Sequence, residues 1–383
     1  MSGKRVAILG GGMGGVVAAN RLRRLLGREH QVLLIDRNVW HVFSPSLTWL
    51  MMGWRTSNRI TRDLRSLSRK GIEFVCAEVT RIDLENRRLE LADQSLEYDY
   101  LVVASGTEYG TGNVEGLGRA WTYYSLDGAE GLQEEISKLR EGRIVILVSG
   151  LPYKGPASPY EAALLLDYFF WQKRLRDSFD IRVITPEAWP FPVAGREIGE
   201  QIVELLGQRN VRFSSRLQVQ SVDQEKRLLR FVDGYETGFD LLIASPFQSA
   251  PRTVRESGLT GKGNWVPVDA ETLATSFEKV YAIGDVAEIY TANQLLLPKL
   301  GTLAHGQAEV VARNIAAQIN GSQGDWVFSG QGWTYLDIGY QKGIQIKGDF
   351  LAEPEPRVEM QRPSFYWHWA RKGYEFLWLR RWF

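Results

Sequence analysis

The sequence holds one cysteine, Cys76, among 383 residues. A single thiol excludes an intrachain disulfide and any cysteine-based metal cluster, and Cys76 is expected to be a small buried apolar residue on its strand. Histidine is scarce as well. His30, His41, His305 and His368 are the four present, and none has a ligand spacing such as H-E-x-x-H, so no protein-bound metal is expected. Net charge is almost absent. The 46 Lys and Arg against 45 Asp and Glu leave +1, which supplies no field to gather nucleic acid. No apolar run reaches the roughly 18 residues that span a bilayer. An apolar strand begins within a few residues of Met1, where a signal peptide would need its own hydrophobic stretch, so the expected location is cytoplasmic. What remains is a globular composition, 44% hydrophobic, long enough at roughly 150 residues per domain for two or three domains.

Glycine is abundant where it carries information. Arg5 to Val16 is a short apolar run that ends in a glycine cluster, and Asp36 closes the next apolar run, Gln31 to Ile35. Gly10, Gly12 and Gly15 have the G-x-G-x-x-G spacing. The first allows a tight turn, the second lets backbone N–H groups approach a pyrophosphate, and the third lets helix pack on strand. Unpaired N–H groups at the helix start favour an anion. Asp36 follows Gly15 at about the distance of roughly 20 residues expected for a carboxylate that accepts a ribose hydroxyl.

Strand-like runs recur at Arg5–Leu9, Val32–Ile35, Glu73–Val75, Leu101–Ala104, Ile144–Val148, Arg182–Ile184, Leu241–Ala244 and Val280–Ile283, with helical stretches between several of them. That alternation predicts an α/β fold with largely parallel sheets. Val79–Leu91 and Val219–Val232 read as antiparallel hairpins. A strand, loop and helix at 4–27 is echoed at 143–175, which predicts two related Rossmann-like dinucleotide-binding domains.

Tyr100-Leu-Val-Val-Ala-Ser-Gly-Thr-Glu-Tyr109 and Val280-Tyr-Ala-Ile-Gly-Asp-Val286 resemble signatures of the two-dinucleotide-domain, glutathione-reductase-like flavoproteins. Within them the chain is most similar to the sulfide:quinone oxidoreductase and flavocytochrome c sulfide dehydrogenase branch, next to the type II NADH dehydrogenases. Supporting stretches are His41-Val-Phe-Ser-Pro-Ser46, Leu151 to Glu161, Thr185-Pro-Glu187, Leu297-Pro-Lys-Leu-Gly301 and the aromatic tail from Ser364. The resemblance implies a discontinuous FAD-binding domain, 1–110 and 262–325. A second dinucleotide-fold domain would span 111–261, and a flavin-cover and membrane-associating segment 326–383. It implies FAD contacts at Gly10, Gly12, Gly15, Asp36, Pro45, Ser105, Gly106, Gly284 and Gly301, with Val79 near the adenine and Asp285 on a ribityl hydroxyl. Lys299 and the helix start after Gly301 would meet the flavin pyrimidine edge and stabilise an anionic reduced flavin; a solvated surface lysine is the other reading. Glu161 would handle protons near the flavin, its pKa raised by burial beside an apolar ring; a first-turn glutamate serving the helix dipole is the alternative.

The chain departs from this pattern in two places. A second glycine-rich phosphate turn is replaced by Gly150 to Pro159, where Pro152, Pro156 and Pro159 lack N–H groups, and the next strand ends at Thr185-Pro186 with no acid at the ribose position. No tight nicotinamide site is expected. The cysteine pair that relays sulfur in the resembling family is also missing: Gly155 and Thr334 stand where thiols are common, and neither residue forms a thiolate or holds a persulfide.

The tail, Ser364 to Phe383, is too short and too charged to span a membrane. On a helix, His368, Arg371, Lys372 and Glu375 form one stripe and Phe365, Trp369, Phe376, Leu379 and Phe383 the opposite one. Tryptophan with arginine suits a lipid headgroup boundary; docking on its own protein or at a homo-oligomer contact is the alternative. The expected function is an FAD-dependent oxidoreductase, attached to the inner face of a membrane, that passes two electrons from a small reductant to a quinone. Two other readings stand beside it: a type II NADH:quinone oxidoreductase-like enzyme and a redox-decayed flavin-binding interaction protein.

Overall fold

The computed structural model of the chain describes residues 3–261 and 263–383. Met1 and Lys262, at which the two stretches of the expected FAD domain begin, lie outside the described residues.

Arg5–Leu9, Gln31–Asp36, Glu73–Cys76, Tyr100–Val103 and Val280–Ala282 form a parallel sheet in the order 280–282, 100–103, 5–9, 31–36, 73–76. Its strands are nearly continuous apolar runs because both faces are covered. Val6, Ile8 and Val102 point to a core shared with the helices Met13–Leu25 and Gly301–Ile319. Ala7, Leu101 and Val103 point the other way, to Ile82, Leu89 and Trp265, as the two-residue period of a strand requires.

A second parallel sheet repeats the plan, in the order 211–214, 179–184, 142–148, 241–245. In each sheet the third strand in sequence leads into a three-stranded antiparallel meander, 81–97 in the first and 219–238 in the second, before the chain returns to the sheet. The echo between 4–27 and 143–175 therefore extends through a whole layered unit. The expected α/β class is observed, and each expected strand forms. The third meander strands, Ser95–Glu97 and Glu236–Gly238, lie beyond the expected hairpins because three residues carry too little alternation to be read.

Small residues let the two helices approach the glycine turn and each other. A Cβ on Gly15 would lie 1.8 Å from the Gly10 carbonyl oxygen, and one on Gly301 would lie 2.3 Å from Met13 Sδ. Gly15 thus serves close helix-on-strand packing, as its spacing implied.

Gln331–Asp337, Gly343–Asp349 and Arg357–Met360 form an antiparallel sheet, and the chain ends in the helix Phe365–Arg381. Ser364 caps that helix by accepting the Tyr366 N–H, and Arg380 and Arg381 occupy its last turn, where cations oppose the dipole favourably. Its two stripes form, the polar one turned to the protein and the aromatic one largely outward. His368, Arg371 and Glu375 are buried, whereas Phe365, Trp369 and Phe376 are 55%, 60% and 60% exposed. Two members of the apolar stripe are corrected. Leu379 turns into the core beside Trp378 and Trp382, and Phe383, past the end of the helix, folds back to 5.0 Å from the His41 ring.

Cys76 is also corrected: it is exposed. It is the last residue of the edge strand, so no neighbouring strand covers it on one side, and its Sγ lies 3.7 Å from the Arg37 carbonyl oxygen.

Candidate functional site

The carboxyl ends of the first sheet's strands open into a cleft, the usual ligand crevice of a parallel α/β sheet. Its outer part, about 270 Å³, is lined by Gly10, Gly12, Asp36, Ser105, Gly106, Gly284, Asp285 and Gly301. Its inner part, about 130 Å³, is lined by Pro45, Glu161, Lys299 and Gly301, together with Gly155 and Thr334. Ser44, Leu47, Tyr124, Lys154 and Gly301 belong to both walls, so the two parts are continuous. Val79 lines neither; its side chain is buried in the apolar layer on the far face of the sheet, and its carbonyl accepts the Thr253 hydroxyl.

The outer cleft is built for an anion. Gly10 turns the chain with φ 114°, and a Cβ there would lie 2.4 Å from the Ala104 carbonyl oxygen. A Cβ on Gly12 would meet no protein atom, so the backbone here borders open space. Asp36 accepts the Gly11 N–H at 2.6 Å and the Asn38 N–H at 2.8 Å, which holds the glycine turn in place. The helices Met13–Leu25 and Gly301–Ile319 both start at this cleft with no side-chain cap and no acid in the first turn. Their N–H groups and dipoles are left for a negative group. Ser105 and Thr107 line the same wall, and their buried hydroxyls have no hydrogen-bond partner, which marks groups that await a polar ligand. This donor set suits a pyrophosphate with attached hydroxyls.

Lys299 is placed differently from expectation. Its ammonium turns away from the helix start, donates to the Asp285 carbonyl at 2.5 Å and lies 3.7 Å from the centre of the Trp265 ring. Burial pushes its pKa down to about 8 against the opposing pull of Asp285 and Glu288. A cation that borders both parts of the cleft is Lys154, whose Nζ lies 3.4 Å from Asp285 Oδ2. Burial works to lower its pKa, but Tyr109 and Asp285 hold it above the ordinary lysine value. Its motif was visible in the sequence; its direction was not.

Glu161 is buried, but not beside an apolar ring alone. Its Oε2 accepts from Arg371 Nη1 at 2.6 Å and from the Asp337 N–H at 3.0 Å, and its Oε1 accepts the Thr48 hydroxyl at 2.5 Å. Arg371 also donates to the Pro45 carbonyl at 2.6 Å. Burial would strip charge from this guanidinium, yet Glu161 and Asp337 raise its pKa above the usual value. Asp337 is likewise pushed up by burial but is held below the ordinary carboxylate range by His368, 2.9 Å away, and by Arg371. One turn further along the helix, Glu375 pairs with Arg55 at 2.8 Å and accepts the Ser46 hydroxyl. Arg371, Arg55 and Asp337 escaped sequence reasoning. The only signal was the polar stripe of the tail, whose partners lie far away in the sequence.

His41 ties the same helix to the glycine turn. Trp378 Nε1 donates to its Nε2 at 3.2 Å, so the imidazole proton belongs on Nδ1, 2.9 Å from the Gly11 carbonyl oxygen. Burial lowers its pKa to about 4, against the Gly11 bond and with help from Lys154 and Arg62.

The fold and site define a two-dinucleotide-domain flavin oxidoreductase, and the chain belongs to the pyridine nucleotide-disulphide oxidoreductase family, whose sequence pattern matches residues 4–308. It is a sulfide:quinone oxidoreductase-like member. It is similar to the sulfide-quinone reductase of Aquifex aeolicus, 28% identical over 400 residues that cover 98% of this chain and 90% of that one. The mouse mitochondrial sulfide:quinone oxidoreductase is 22% identical, over 96% of this chain and 86% of its own. A type II NADH:quinone oxidoreductase of Haemophilus influenzae is 24% identical, over 82% and 80%. In three dimensions the chain follows the crystal structure of the Aquifex aeolicus sulfide:quinone oxidoreductase with a TM-score of 0.89, at 24% identity, over 99% of this chain and 92% of that one.

Two outcomes follow from the polar cluster and the buried imidazole. Removing one partner of a buried ion pair strands the other charge, which costs about 3–5 kcal/mol. Arg371→Met should therefore lower urea stability by that order, while Glu161→Gln with Arg371→Met should cost clearly less than the sum of the single changes; additive losses would show that the pair is not coupled. For His41, the unfolded chain takes up a proton near 6.5 and the folded one only near about 4. Its contribution is complete above the higher value and is lost as pH falls through this window, up to roughly 3 kcal/mol at about 1.4 kcal/mol per pH unit. His41→Gln should flatten the fall in stability between these pH values, and an unchanged slope would remove His41 from the account.

Proposed function

We propose that this chain holds FAD non-covalently along the cleft and passes two electrons from a small reductant to a quinone at a membrane surface, without a cysteine persulfide relay. The observation that carries this reading is the continuity of the cleft, from the uncapped glycine turn to a cavity lined by residues of the C-terminal helix. When bound, FAD supplies the two-electron carrier.

Gly10, Gly12 and the helix start at Met13 would hold the pyrophosphate by backbone N–H groups, with Gly15 keeping that helix on its strand and Asp36 at the ribose. Ser105, Gly106, Gly284 and Asp285 would serve the ribityl chain. Pro45, Lys299 and Gly301 would border the ring, Lys299 through its backbone, and Lys154 would supply the cation. Glu161 would take and return protons at Oε1 through the Thr48 hydroxyl, with Arg371 fixing its orientation. Gly155 and Thr334 line the inner cavity at the places where the resembling enzymes commonly carry cysteine. The reductant must then react at the ring itself or deliver its sulfur to an external thiol acceptor.

The membrane side is argued from the C-terminal helix. Its polar stripe is spent on the protein, so Phe365, Trp369, Phe376 and the neighbouring Tyr366 and Leu377, all more than half exposed, form an aromatic face suited to the headgroup boundary. No helix among the described residues is long and apolar enough to cross a membrane, so attachment would be peripheral, on the inner face. The relatives named above include a sulfide-quinone reductase and an NADH:quinone oxidoreductase, which favours a quinone as the acceptor.

The purified protein should show a flavin spectrum and release FAD on acid denaturation. Mixed anaerobically, sulfide with a thiol acceptor, or a thiol alone, should bleach it, and a short-chain quinone should restore the colour. Saturable bleaching by NADH alone would transfer the reading to a type II NADH:quinone oxidoreductase, and reduction by dithionite only would leave a redox-decayed flavin protein. Replacing Phe365, Trp369 and Phe376 together by serine should abolish co-sedimentation with anionic lipid vesicles while leaving the flavin spectrum intact; undiminished sedimentation would place the membrane face elsewhere.

A further inference from the structure

The proline-rich loop that follows the strand Gly142–Val148 has two sides. Lys154, Gly155 and Ala157 face the cleft. Leu151, Pro152, Tyr153 and Pro156 face a separate cavity of about 310 Å³, closed by the turn Pro192–Ala194 and by the stretch from Tyr290 to Lys299. Leu151, Tyr290 and Leu295 are 53%, 54% and 37% exposed, so the cavity opens to solvent on their side.

Its walls are flat and apolar. The rings of Tyr153, Phe191 and Tyr290 stand among Pro152, Pro156, Pro192 and Pro298. One carboxylate interrupts them: Glu187, only 3% exposed. Its close partners are hydroxyls, with the Phe191 N–H as a weaker one, and none is a cation. Oε2 accepts from Tyr153 at 3.0 Å, from Thr185 at 2.9 Å and from Tyr160, whereas Oε1 accepts only from Tyr153, at 3.1 Å. A carboxylate oxygen offers about two acceptor directions, so Oε1 has one to spare.

We propose that this cavity is a binding site for a small, uncharged aromatic alcohol, its ring seated among the aromatic and proline side chains and its hydroxyl donating to Glu187 Oε1. An anion is disfavoured because the buried carboxylate has no cation in contact with it, Lys299 on the same wall holding its ammonium on the Asp285 carbonyl and the Trp265 ring. A dinucleotide is disfavoured because the prolines remove N–H donors from the turn where a second pyrophosphate would lie. A plain hydrocarbon leaves the spare acceptor direction unpaired, which a buried site penalises. Burial pushes the Glu187 pKa up to about 7 against the pull of its hydroxyl partners, so the group is able to exchange a proton near neutrality. The site does not depend on the reading of the flavin cleft, because its walls belong to the opposite face of the loop.

The probe is 2-naphthol, followed by its fluorescence in equilibrium dialysis against the full chain as purified, with naphthalene and 2-naphthoate as comparisons. One saturable site is expected, at least tenfold tighter for 2-naphthol than for either comparison. Leu295→Trp, at the solvent side of the cavity, should weaken 2-naphthol at least tenfold. Glu187→Gln should reduce its advantage over naphthalene at least threefold while naphthalene itself is unaffected. Equal binding of all three probes, no saturable 2-naphthol binding, or 2-naphthol binding indifferent to Leu295→Trp would overturn the proposal. The visible spectrum, read in parallel, reports on the flavin reading separately.

Discussion

The buried contact between Arg371 and Glu161 is the constraint on which the arrangement depends. Glu161 lies in the first turn of the helix Ser158–Gln172, which leads away from the strand Gly142–Val148, and Arg371 lies on the last helix of the chain. Through Pro45, Thr48 and the Asp337 N–H the same two side chains reach the segment after the second strand of the first sheet and the C-terminal sheet. Four separate stretches of chain thus converge on one charge pair. Such a pair gains little net energy over a well-packed apolar substitute, but it penalises every misplaced arrangement heavily, because an unpaired buried charge is expensive. Its value here is positional: it fixes the wall of the inner cavity and the rotation of the last helix at once.

That rotation explains the surface. A helix has one polar stripe to spend, and in this one His368, Arg371 and Glu375 spend it inward on Asp337, Glu161 and Arg55. The aromatic stripe is then left outside. Trp378 adds a further link through His41 to the Gly11 carbonyl, so the last helix is in register with the glycine turn at the other end of the cleft. Surface and cleft are therefore two faces of one packing decision.

The sequence shows what is local and hides what is not. The strands, the glycine turn, the helix start at Gly301 and the repeat of the two layered units were legible because each rests on a few adjacent residues whose period or backbone freedom carries the signal. The direction in which Lys154 and Lys299 point was not, since both sit in one short bridge between 154 and 299, and their separation rests on the Asp285 carbonyl and the Trp265 ring, which hold Lys299, and on the Asp285 carboxylate, which holds Lys154. Nor were the partners of the tail's polar stripe: its burial is recognisable only when Glu161, Asp337 and Arg55 are seen opposite it. Cys76 failed for a related reason. A residue's depth at the end of an edge strand depends on what covers it, and that cover comes from elsewhere in the chain.

The loop Leu151–Ala157 shows how the missing thiols and the remaining charge belong together. Gly155 adopts φ 65°, a conformation that costs a side-chain-bearing residue free energy, and its N–H is held by the Lys299 carbonyl at 3.0 Å. Lys154 beside it is pinned by backbone bonds, its N–H to Gln248 at 2.9 Å and its carbonyl to the Tyr124 hydroxyl at 2.9 Å. With the backbone held on both sides, the side chain is left to extend toward Asp285 and the cleft. The loop therefore presents a fixed cation to the cleft, with glycine beside it where a side chain would have projected. A cation there lowers the energy of negative charge on whatever occupies the cleft, whereas a thiolate would add negative charge of its own. Glycine at 155 and the cation of Lys154 act in the same electrostatic direction, toward a cleft that favours negative charge on its occupant.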